Sequence, residues 1–204
     1  MISSKKRIAM LIFGLIIISI CVGMLRVLNL GVDPFVALTI GLNYALNIGF
    51  GTLMMILNGI MFLIMLAKKK QLVGIGTIVG ALGIGYIIDI VYYHFFISLI
   101  ISELHLLLRL IILLTTLITL SFGAALTIVA NLGILPYDAI GIIIEDITKG
   151  KIKFKWARVA LDTICAITAF ILGSTLGIAT IITVFMLGPF INFFRNKINK
   201  VALR

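Results

Sequence analysis

The sequence predicts an all-α membrane protein: six transmembrane helices as a 3+3 inverted internal repeat, each repeat with one short interfacial or re-entrant helix. Three observations carry that prediction. Of the 204 residues, 62% are apolar and 12% are charged, where soluble domains run about 45–50% and about 25%. Six apolar runs come near the roughly 20 residues that cross a bilayer as a helix. The second half of the chain restates motifs of the first half in the same order. A soluble enzyme, a nucleic-acid-binding domain and a disordered chain are excluded by the first observation alone.

The six runs are 8–28, 51–67, 72–93, 106–129, 155–173 and 176–194. The first follows Met1-Ile-Ser-Ser-Lys-Lys-Arg7, which imitates a signal peptide. No A-x-A-like site follows, and five more runs do, so it reads as an uncleaved span. Lys and Arg orient the chain, because cytoplasmic loops hold them in excess. With the amino terminus inside, Lys5 to Arg7, Lys68 to Lys70, the Lys149–Arg158 stretch and the tail through Arg204 all fall on one side. That is 15 of the 17 basic residues; Arg26 and Arg109 fall on the other. The net charge of +10 therefore reads as loops facing an anionic leaflet rather than as a nucleic-acid surface. Both termini are expected in the cytoplasm of a multi-pass plasma-membrane protein.

Two stretches, 34–47 and 136–148, are apolar but too short to cross. Pro34 and Pro136 open them at a first-turn position, where proline suits a helix. Asp138, Gly141, Glu145 and Lys149 share one face of the second, and Thr39, Asn43 and Asn47 form a similar stripe on the first. An interfacial or shallowly buried position is expected for both.

Asn29-Leu-Gly-Val-Asp-Pro34-Phe matches Asn131-Leu-Gly-Ile-Leu-Pro136-Tyr at an offset of 102. Phe50 to Asn58 match Phe154 to Asp162 at 104. Gly74-Ile-Gly-Thr-Ile, Gly85 and Asp89 match Gly177-Ile-Ala-Thr-Ile, Gly188 and Asn192 at 103, and Arg7 matches Arg109. The repeats are 1–100 and 101–204, within one membrane domain. Three crossings are an odd number, so the second copy enters from the opposite side. Secondary transporters recur in that architecture; duplication is also an economical way to build any bundle.

The Asn-Leu-Gly-x-x-Pro-aromatic run and the glycine-rich third span ending near Asp89 resemble the YczE/YyaS/YitT group of bacterial integral membrane proteins, especially its YczE-like branch. The resemblance covers nearly the whole chain. It implies fold and location, and for some relatives a link with small-molecule export or antibiotic production. That group usually has Asp two residues after the proline. Asp138 fits; the first copy has Val36 there, with Asp33 before the proline instead.

Ionisable groups inside a bilayer normally face the bundle or a wet cavity, which selects the candidate substrate-binding residues Asn58, Asp162, Asp89, Asn192 and Asp138. Asp162 has Arg158 four residues earlier on the same face, so an ion pair is the competing reading. Asp89 is expected to pair with Arg26 or Arg109 near the outer boundary. Asn29, Gly31, Asn131 and Gly133 suit left-handed helix ends, with Pro34 and Pro136 restarting the next helix. Cys21 and Cys165 read as buried small hydrophobes. His94, Glu103 and His105 lack metal-ligand spacing, and no P-loop, G-x-S-x-G or HExxH motif occurs, so neither cofactor nor enzymatic chemistry is expected.

A small-molecule carrier, pictured as an exporter, is the expectation. The alternatives are a substrate-binding subunit of the vitamin-uptake type and a structural or regulatory membrane partner. A homodimer stays open.

Overall fold

The computed structural model describes residues 3–96, 103–174 and 176–202. The expected boundary between the repeats, at residues 100 and 101, lies outside them, as does Arg204. Among the described residues there are eight α-helices: α1 (Ser4–Leu28), α2 (Pro34–Leu46), α3 (Phe50–Lys68), α4 (Ile75–Val91), α5 (Leu106–Ala130), α6 (Pro136–Ile147), α7 (Phe154–Ile171) and α8 (Ile178–Ala202). The order long, short, long, long occurs twice.

Five segments are long and apolar enough to cross a membrane by length and composition: Ser4–Leu28, Phe50–Lys68, Ile75–Phe96, Leu106–Ala130 and Ile178–Lys200. The chain is thus a polytopic helical membrane protein. The fifth expected span, 155–173, forms α7 but does not qualify on those grounds. Its 18 residues hold Lys155, Arg158 and Asp162, and each such charge costs about 2.5–3.5 kcal/mol near a bilayer centre. Arg158 and Asp162 are both buried against protein instead.

Local chemistry sets the helix limits. Ser3 caps α1, which starts before the apolar run because Lys5 to Arg7 continue the helix. Asn29 and Asn131 end α1 and α5 at φ 49, the left-handed conformation that Asn tolerates better than most residues. The third run begins later than expected. Lys70–Leu72 form a 3₁₀ turn and Gly74 is extended, so α4 starts at Ile75. A π-helical turn, Tyr92–Phe96, follows α4.

Helices α1 and α5 pack antiparallel, and each end of the pair is tied by an arginine. The Arg7 Nε donates to the Ala130 carbonyl (2.7 Å), and its Nη2 to that of Asn131. Reciprocally, the Arg109 Nε and Nη2 donate to the Leu28 carbonyl (3.1 and 2.5 Å), and Nη2 to that of Asn29 (3.0 Å). These bonds satisfy carbonyls that a helix end leaves unpaired. They also correct the expected role of Arg109: it forms no ion pair with Asp89, because it is spent on the end of α1.

A second reciprocal pair joins the Asn-Leu-Gly turns to the helices that follow the third and sixth runs' opening glycines. Gly76 N donates to Leu132 O (2.8 Å), and Ala179 N to Leu30 O (2.9 Å). The approach is so close that a Cβ on Gly74 would strike the Leu132 carbonyl, and one on Gly177 that of Leu30.

The two short helices enter the bundle by their opening turns rather than lying along its surface. Their opening turns are buried: Pro34 to Ala37 in α2, and Pro136 to Ala139 in α6. Tyr44 and Leu46 at the far end of α2, and Ile147 at that of α6, are exposed. The first residues of the polar stripes point inward, while Asn47 and Lys149 at their far ends are exposed. Thr39 and Asp138 are buried, and Gly141 lies against Phe154. Helix α2 packs on α7, and α6 on α3. The amino-terminal ends of α2 and α6 meet in the middle, where Phe35 and Tyr137 stack at 4.5 Å between centroids.

Candidate functional site

Where those two ends meet, a cavity of about 90 Å³ lies between the halves of the chain. Most of its wall is apolar, with Ile18 and Val22 of α1, Ile84 of α4, Leu120 of α5 and Leu187 of α8. Its polar wall is made by Asp33, Asn58, Tyr137, Asp138 and Arg158.

Arg158 organises that wall. Its Nη1 donates to Asp138 Oδ1, and its Nε lies 3.3 Å from both oxygens of Asp162. Its guanidinium sits 4.4 Å from the centre of the Tyr137 ring. The Tyr137 hydroxyl donates to Asp162 Oδ1 (2.5 Å), with the Cys165 sulfur 3.7 Å away. A buried ion pair survives only with such additional hydrogen bonds, since desolvating two charges costs several kcal/mol per ion. Asp162 stands behind Arg158 and Tyr137 and does not itself line the cavity.

Asp33 caps α2. Its Oδ1 accepts from Phe35 N (3.0 Å) and Val36 N (3.4 Å). The residue is 6% exposed, and its Oδ2 has no hydrogen-bond partner. Reading the sequence as a site missed Asp33. The signal was its place immediately before Pro34, where Asp is a preferred N-cap; that the residue lines a cavity follows only from the fold.

The remaining candidates separate. Asn58 lines the cavity, and its Nδ2 donates to Met54 O (2.9 Å). Asp89 lies elsewhere, in a polar vestibule of about 650 Å³ near the end of α1. There it pairs with Arg26 (2.9 Å) and accepts from Gly51 N (2.9 Å). The Arg26 guanidinium also lies 3.9 Å from the Tyr92 ring centre and 4.5 Å from that of Phe50. This arrangement ties α1, α3 and α4 together. Asn192 is exposed on α8 and lines none of these spaces. Asn29 and Gly31 line the vestibule, while Asn131 and Gly133 line a smaller groove of about 220 Å³ beside Gln71 to Ile75.

An all-helical, polytopic membrane protein with a charged pocket between its halves is the class this architecture defines. The chain belongs to a family of unknown function, DUF6198, whose pattern matches residues 5–196. It is similar to an uncharacterized protein of Haemophilus influenzae, 24% identical over 196 residues, which cover 96% of this chain and 86% of that one. It is likewise similar to the uncharacterized protein YyaS of Bacillus subtilis, 25% identical over 185 residues, covering 89% and 88%. The resemblance drawn from the Asn-Leu-Gly-x-x-Pro motifs thus stands. No solved structure matches the chain.

Proposed function

We propose that this protein is a small-molecule carrier of the plasma membrane, with six spans, two inverted repeats and both termini in the cytoplasm. The observation that carries the reading is the cavity at the meeting of two half-helices, walled by both halves of the chain. In transporters built from inverted repeats, substrate sites lie at the repeat interface, next to the amino-terminal ends of broken helices. The reciprocal ties of Arg7 and Arg109, and of Gly76 and Ala179, support the inversion, because equivalent residues make equivalent contacts at opposite ends of the bundle. The Phe35–Tyr137 stack supports it further, since those residues occupy matching places in the two motifs.

Counting α7 as a span rests on its partners. Two of its three charges are turned into the bundle, and Lys155 is the second residue of the helix, within reach of the surface by snorkelling. With six spans the basic loops after α3 and α6 share one side. Alternating access would then be a rocking of α1–α4 against α5–α8 around the cavity.

Reconstitution of the purified protein into liposomes tests the proposal. Counterflow of at least one labelled small solute is expected, and it should fall when Asp138 is replaced by Asn. Absence of flux for anionic, neutral and cationic solutes alike, from protein shown to be folded, would sink it.

A further inference from the structure

We propose that the central cavity takes the ammonium head of a small monocationic amine, with the Asp33 carboxylate as its counter-charge, and that its binding displaces one proton from Asp33. The inference deepens the carrier reading and rests on it for the direction of use, but not for binding.

Charge gives the class of ligand. Three buried carboxylates, Asp33, Asp138 and Asp162, face one guanidinium. The amino-terminal ends of α2 and α6 each contribute roughly half a positive charge. About one negative charge is left without an internal partner. Arg158 is committed to Asp138 and Asp162, so the deficit falls on Asp33, whose Oδ2 is the oxygen without a bond. An ionised carboxylate alone in a low-dielectric interior is costly and takes up a proton instead. A monovalent cation offers the alternative partner. An anion at this position would add to the excess.

Shape gives the rest. The cavity is smaller than the roughly 150 Å³ of an engineered apolar cavity that admits benzene, so it suits a head group and a few carbons. Most of the remaining wall is hydrocarbon, from residues such as Ile18, Val22, Ile84, Leu120 and Leu187. Facing Asp33 from α7 are Arg158, Asp162 and Cys165, and from α6 Tyr137 and Asp138. What the other elements bring to the cavity is apolar, apart from the Asn58 amide.

The test uses three molecules of one shape: butylammonium, butanol and butyrate. Calorimetry on the full-length protein in detergent, in two buffers of different ionisation heat, reads both affinity and proton release. Butylammonium should bind about tenfold or more tighter than the other two, a difference of roughly 1.4 kcal/mol. Its affinity should rise about tenfold per pH unit while Asp33 holds the displaced proton, with the amine itself charged below about pH 9. Asp33→Asn keeps the cap, because its amide oxygen still accepts, and should remove both the preference and the proton release. Equal binding of amine and alcohol, no binding of any of the three, or unchanged binding by a folded Asp33→Asn would each overturn the proposal. Should that variant not fold, the ranking of the three molecules and the pH slope on the unaltered protein decide alone. The two readings fail separately. Flux of an anion or neutral solute without amine binding ends this inference and leaves the carrier. Amine binding without flux of any solute does the reverse.

Discussion

Asp33, Val36, Met54 and Asn58 stand in the first half where the second half has Leu135, Asp138, Arg158 and Asp162, at offsets of 102 and 104. All but Asp162 line the cavity. Away from it the two halves behave alike: each supplies an arginine to the other's long helix, and each sets an Asn-Leu-Gly turn against a glycine of the other. The comparison separates two kinds of constraint. Backbone-to-backbone approaches and helix-end ties are kept in both halves because the packing needs them twice. The cavity is a single space, so its chemistry can be divided between the halves, with one bringing a lone carboxylate and the other a neutralising network.

The largest effect that would break this comparison is expected at Arg158. Arg158→Met copies Met54 but leaves Asp138 and Asp162 buried without their cation. A loss of about 3–5 kcal/mol is expected, read from unfolding in detergent. The triple change Asp138→Val, Arg158→Met, Asp162→Asn copies three of the four first-half residues, and should recover most of that loss while abolishing the effect of Asp138 on flux. A triple variant no more stable than Arg158→Met would show that the network holds the fold in a way its equivalents cannot.

Next in size come the glycines. Gly74→Val and Gly177→Val each drive side-chain carbon into a carbonyl of the opposite turn, and about 1–3 kcal/mol is expected for overpacking of this kind. The account requires similar losses from both. Arg7→Ala and Arg109→Ala should each cost about 1.5 kcal/mol, the lower range for hydrogen bonds to a charged group. A loss at only one of them would mean that the two ties are not equivalent. Asn58→Leu is expected to cost least, about 0.6 kcal/mol, the average for a polar contact between membrane helices. Since Asn58 bonds the carbonyl one turn back on its own helix, a loss several times larger would assign it a partner across the cavity.

Much of this was legible in the chain. Hydropathy marked α1, α3, α5 and α8, and prolines marked the starts of α2 and α6, because those signals are local. Asn29 and Asn131 announced their left-handed ends for the same reason. The Arg158–Asp162 pair is also local, four residues apart on one helix. What could not be read were partners distant in sequence. Arg109 was open to Asp89 until the fold placed it on the end of α1, 81 residues away. The stripes of α2 and α6 suggested a surface position, because amphipathicity does not say whether the polar side meets water or a buried network. Asp33 carried only a capping signal, and its free oxygen became visible once α6 and α7 closed around it.

The proposed inversion is tested most directly by the sidedness of three loops. Single cysteines replacing Tyr44, Gln71 and Lys151, in a protein whose Cys21 and Cys165 are changed to Ser and Ala, can be labelled with an impermeant thiol reagent on intact and permeabilised cells. Gln71 and Lys151 should react only after permeabilisation, and Tyr44 in intact cells. Labelling of Gln71 and Lys151 from opposite sides would contradict the account at its base.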